Sequence, residues 1–79
     1  MKNNTYMVRN YRLLAEKFAD EGDIERAWSF YHKAYQLKEG RQDVELLIDM
    51  AVLYDEQGEE EKAIEKYKEA LELDPQEAR

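Results

Sequence analysis

The sequence holds one serine and one histidine, Ser29 and His32, three residues apart. On a helix that spacing brings two side chains within reach of one another. A hydrolytic site needs more: a carboxylate to orient the imidazole and N–H groups aimed at an oxyanion. The helix around Ser29 supplies neither, so His32 is expected to face solvent. The acidic run Glu59-Glu60-Glu61 lacks the alternating ligands and glycine of a calcium loop. It opens a helical segment, where the helix dipole favours negative charge, and that explains it without a metal. There is no cysteine, which excludes disulfides, thiolate zinc sites and a thiol nucleophile together. Trp28, Tyr31 and Tyr35 have the row spacing of a base-stacking platform, but 19 acidic residues against 12 basic give a net charge of −7. That charge opposes a phosphate backbone or an anionic membrane, so the three rings are expected in a core. These residues predict no enzyme, no cofactor, no metal, no nucleic acid and no membrane partner.

The elements that hold these side chains are helices. Hydrophobic residues make up 43% of the 79 and charged residues 39%, apolar enough for one compact unit and too apolar for a disordered tail. Apolar positions run Val8, Tyr11, Ala15, Phe18, then Ala27, Tyr31, Ala34, then Val44, Leu47, Ala51, Tyr54, then Ala63, Tyr67, Ala70. This is helical spacing throughout, with no alternation of period two. Thr5, Asp23 and Asp43 are N-cap candidates, and Gly22, Gly40 and Gly58 are expected to end helices in the left-handed conformation. Pro75 stops the last helix and disfavours helical geometry at Asp74. The spacing predicts four helices, at about 6–20, 24–38, 43–56 and 60–73, joined by short connections into antiparallel hairpins. The longest apolar run, Met50 to Tyr54, is far short of a bilayer, and the N-terminus has no signal-peptide core, so a cytoplasmic chain is expected.

A shift of 36 residues superimposes the chain on itself. Val8, Ala15, Gly22, Glu25, Ala27, Tyr31, Ala34 and Leu37 recur as Val44, Ala51, Gly58, Glu61, Ala63, Tyr67, Ala70 and Leu73. The repeated residues are mostly small or aromatic, the types that an interlocking helix pair constrains. The second copy reads Leu47, Met50, Ala51, Tyr54, Gly58, Ala63, Tyr67, Ala70 and Asp74-Pro75, and the first Tyr11, Leu14, Ala15, Phe18, Gly22, Ala27, Tyr31 and Ala34. Together these resemble the tetratricopeptide repeat. The resemblance implies an all-α fold, two antiparallel helix-turn-helix repeats stacked as a short right-handed solenoid. It implies one such domain over residues 1–79, with repeats at about 6–40 and 43–75. It also implies a module for binding protein or peptide. The first copy departs from the pattern: Glu39 stands where the closing proline would fall, Gly40 takes over the stop, and the period is longer than the family's usual ~34 residues.

Equivalent positions also separate packing from free surface. Leu46 and Leu53 are expected to face back onto Trp28, Tyr35 and Leu37, whereas their counterparts in helix one, Asn10 and Lys17, are polar. Helix one therefore reads as a solvated end with nothing missing before it. At the other end Ile64, Leu71 and Leu73 occupy the forward positions of Trp28, Tyr35 and Leu37, with no third hairpin after them. They are expected to form an uncapped edge through which the chain self-associates as a homo-oligomer; a return of Gln76-Glu77-Ala78-Arg79 over the edge is the alternative.

The family's concave groove is the second candidate surface. Here it would present Arg9, Arg12 and Glu16 from copy one, and Glu45, Ile48, Asp49, Val52 and Asp55 from copy two. Arg9 and Arg12 fit a carboxylate clamp, but Glu45, Asp49 and Asp55 would repel a terminal carboxylate. An Ile48–Val52 strip rimmed by acids better suits an amphipathic helix or a basic peptide.

Overall fold

A computed structural model describes residues 4–74 of the chain. Five helices follow one another: α1 (Thr5–Asp20), α2 (Ile24–Gln36), α3 (Lys38–Arg41), α4 (Val44–Glu56) and α5 (Glu60–Leu73), with no strand among the described residues. The chain divides into two compact units between Arg41 and Gln42. The first is the α1–α2 hairpin with α3, and the second is the α4–α5 hairpin.

Both hairpins turn by the same device. In the first, Gly22 N–H donates to the Ala19 carbonyl (3.0 Å) and Asp23 N–H to that of Phe18 (2.8 Å). In the second, Gly58 N–H donates to Asp55 (3.0 Å) and Glu59 N–H to Tyr54 (2.9 Å). This is the paired bonding that closes a helix on a left-handed residue. It demands φ of +86° at Gly22 and +80° at Gly58, a region costly for any side chain. Asp23 then opens α2, its carboxylate accepting from Arg26 N–H at 3.2 Å, and Asp43 opens α4 by accepting from Leu46 N–H at 3.2 Å. Thr5 differs from expectation: it is the first helical residue, and Asn4 takes the cap position without a side-chain cap bond.

The second expected helix breaks earlier than its apolar pattern indicates. Leu37 is extended (φ −75°, ψ 143°), and Lys38–Arg41 form a separate turn. Gly40 does not adopt the expected left-handed conformation; it is buried inside α3, packed so close to the Ala34 carbonyl that a Cβ would overlap it. Arg41 completes the stop by donating from Nη1 to the carbonyls of Gln36 (3.1 Å) and Tyr35 (3.3 Å). At the far end α5 stops at Leu73 with Asp74 non-helical. Pro75 and the four residues after it lie outside the described residues.

The cores are built on small residues. Val8, Ala15, Ala27, Tyr31 and Ala34 are buried in the first unit, and Leu46, Leu47, Met50, Ala51, Leu53, Ala63 and Ala70 in the second. Alanine at facing positions lets the two helix backbones of a hairpin approach closely. Around the first alanine seam Phe18 and Phe30 stack at 5.6 Å and Tyr11 meets Phe30 at 6.1 Å.

Candidate functional site

The residues with chemical potential do not form a reactive centre. Ser29 and His32 are both exposed, and the His32 ring stacks on Trp28 at 5.5 Å. Among the described residues no group of His, Asp and Glu side chains converges where a metal ion would sit. Trp28 meets Tyr31 edge-on at 5.7 Å; Tyr31 is buried and Trp28 half-buried, so this row is packing rather than an open platform.

What the structure offers is surface. On α5, Ile64, Tyr67 and Leu71 stand at intervals of three and four, forming one stripe along the helix. All three are exposed, Ile64 by 52%. Leu73 is exposed too, but two residues beyond Leu71 it projects from the opposite flank, since each residue turns the helix by about 100°. Of the expected edge, then, Ile64 and Leu71 come together and Leu73 stands apart, while Tyr67 joins them.

Comparison of the two units shows how unusual this stripe is. Tyr31 is 3% exposed and its repeat equivalent Tyr67 is 39% exposed. Trp28, Tyr35 and Leu37 are all half-buried, and their equivalents Ile64, Leu71 and Leu73 are all open. The alanines behind them, Ala27 and Ala34 against Ala63 and Ala70, are buried alike. The hairpin interior is equally closed in both units, and only the outward face of the second helix differs. Tyr67 was legible in principle from its spacing with Ile64 and Leu71, but its likeness to Tyr31 marks it as core.

The eight residues expected to line a groove fall three in the first unit and five in the second. In the first, Arg9 is exposed, while Arg12 Nη1 binds Glu16 Oε2 at 3.1 Å, so the guanidinium that a carboxylate clamp would use already holds an acid. In the second, Glu45, Val52 and Asp55 are exposed on α4 and Ile48 and Asp49 half-buried. Ile48 and Val52, four apart, form a short apolar strip on that helix.

α1 departs from the expectation of a solvated end. Asn10 and Lys17 are exposed as expected, but Tyr6, Met7, Leu13 and Leu14 are exposed beside them. Equivalence alone missed these four, because three of their counterparts in the second copy, Gln42, Asp43 and Asp49, are polar and give no apolar signal.

Fold and surfaces define a helical-hairpin repeat protein whose outward faces, rather than an enclosed pocket, hold its exposed apolar groups. The tetratricopeptide repeat family pattern matches residues 44–77, the second hairpin. The chain is similar to two proteins named Photosystem I assembly protein Ycf3: 44% identical over 57 residues to that of a Synechococcus strain, and 39% identical over 57 residues to that of Prochlorococcus marinus. Each alignment covers 71% of this chain and 33% of the relative, so the chain spans about a third of these relatives' length. An aligned stretch of 57 residues is longer than either unit and takes in part of both. The chain belongs to the tetratricopeptide-repeat family.

Proposed function

We propose that the chain is a non-catalytic protein-interaction module that acts in the assembly of protein complexes and self-associates through the α5 stripe. The observation that carries this reading is the open face of Ile64, Tyr67 and Leu71 at positions whose equivalents are closed in the first unit. Covering Ile64 or Leu71 would stabilise a complex by about 1.5–3 kcal/mol each. The relatives' name, which describes assembly proteins, supports the wider role. No helix of the described residues is long and apolar enough to cross a membrane, and we place the chain in the cytoplasm with protein or peptide as its partner. Light scattering tests the reading: a native oligomer that becomes monomeric in Ile64→Glu, Leu71→Glu supports it. A strict monomer at high micromolar concentration sinks self-association.

The second reading is an adaptor that takes a basic peptide or amphipathic helix of another protein. The exposed Val52 beside Ile48, between Glu45, Asp49 and Asp55, favours it. Its test is peptide capture by the Ile48→Asp, Val52→Asp variant, where undiminished capture places the peptide elsewhere.

A further inference from the structure

A second apolar surface lies at the opposite end of the chain. Tyr6, Met7, Leu13 and Leu14 fall within one arc about 120° wide on α1, turned away from the buried Val8 and Ala15. All four are exposed, Tyr6 by 70%. Asn10 and Lys17 sit within the same arc and Arg9 on its flank. Among the described residues neither Arg9 nor Lys17 is held in an ion pair. Four large apolar side chains gathered on one helix face exceed the scattered exposure of an ordinary surface.

The α5 stripe has the opposite rim. Glu60 and Glu61 stand one turn before Ile64, Glu72 follows Leu71, and Lys68 is the single base among them. Acids therefore occupy both ends of the stripe. If two α5 stripes met antiparallel, Glu60 and Glu61 of each molecule would approach Glu72 and Asp74 of the other; if parallel, each acid would meet its own copy. Like charges brought together in this way oppose a two-fold contact. The α1 arc offers apolar surface rimmed by cations instead.

We propose that the α5 stripe of one molecule docks on the α1 arc of a second copy, head to tail. This rests on the self-association proposed above and specifies its geometry. Ile64, Tyr67 and Leu71 meet Leu13, Leu14 and Met7, with Lys17 and Arg9 facing Glu60, Glu61 and Glu72. The two patches differ, so the contact is heterologous and leaves one unused face of each kind at the ends of an open assembly.

Sedimentation of two blocked variants, separately and mixed, tests the pairing. Ile64→Glu, Leu71→Glu closes the α5 face, and Leu13→Glu, Lys17→Glu closes the α1 face; all four sites are exposed, and far-UV circular dichroism checks that helicity is kept. The native chain should show a weight-average mass that climbs with concentration without a dimer plateau. Each variant alone should associate at least about tenfold more weakly. Their equimolar mixture should form a one-to-one dimer, because each retains the face that the other lacks. Asn10→Leu, which enlarges the arc without touching a buried residue, should tighten native association several-fold, and it decides the matter alone if a blocked variant loses helicity. A native dimer that survives in the α1-blocked variant, or an Asn10→Leu chain that associates no better than native, overturns the head-to-tail contact and leaves self-association through α5 standing. A native chain that stays monomeric overturns both.

Discussion

The Arg26 guanidinium lies 5.7 Å from the centre of the Phe18 ring, with its Nε 3.6 Å from the Asp23 carboxylate. Thirty-six residues on, Lys62 Nζ lies 5.8 Å from the Tyr54 ring and 3.2 Å from Glu59. Ring, acid and cation have all changed identity between the copies, yet the arrangement persists. In each hairpin one cation ties the last turn of one helix to the first turn of the next.

Arg26→Gln and Lys62→Gln should each lower stability by about 0.5–1 kcal/mol, measured by urea unfolding. Both cations are more than half exposed, at 69% and 58%, so solvent screening keeps the effect this small. The two losses should add in the double variant, since the cations share no partner.

The three glycines should respond differently to alanine. Gly22→Ala and Gly58→Ala meet no neighbouring atom and should cost about 1–2 kcal/mol each, the conformational penalty of a left-handed residue. Gly40→Ala forces its Cβ into the Ala34 carbonyl and should cost about 3 kcal/mol, with the last turn of α2 displaced. Thermal melts separate the cases, since about 1 kcal/mol moves the midpoint by roughly 4–8 °C in a chain of this size.

Asp43→Ala should cost about 1 kcal/mol, because Leu46 N–H loses its acceptor at the start of α4. Asn4→Ala should be close to neutral, since Asn4 makes no side-chain cap bond. Urea midpoints of the two variants provide the comparison.

Ala27→Leu should destabilise the first hairpin by about 1–3 kcal/mol, and Ala63→Leu the second by a similar amount, through overpacking of the helix seam. Amide exchange is the informative readout: protection should fall first in the hairpin that carries the substitution.

Much of this arrangement was readable from periodicity alone. The apolar spacing placed the helices, and the 36-residue recurrence paired Ala15 with Ala51, Ala27 with Ala63 and Ala34 with Ala70, all of them buried. Gly40 was misread because its even spacing from Gly22 and Gly58 made three glycines look alike. Two serve φ and the third serves a close backbone approach, a distinction that belongs to tertiary packing. The Leu37 break was hidden for a related reason, as helical propensity continues through Leu37-Lys38-Glu39 while Arg41 satisfies the carbonyls that end α2. The candidate edge was half legible: Ile64 and Leu71 share a face, and Leu73 was grouped with them by equivalence to Leu37 rather than by helical angle. The α1 arc escaped because comparing copies detects only what recurs.

The turns at Gly22 and Gly58 each leave three residues between helices, 21–23 and 57–59. Bringing such near neighbours together requires little chain search, and helix growth takes nanoseconds per residue. Each hairpin can therefore zip closed from its own glycine on a microsecond scale. A nascent chain would then have its first hairpin formed while the residues of the second are still being added, which limits how long bare strands of apolar sequence are offered to the wrong neighbour.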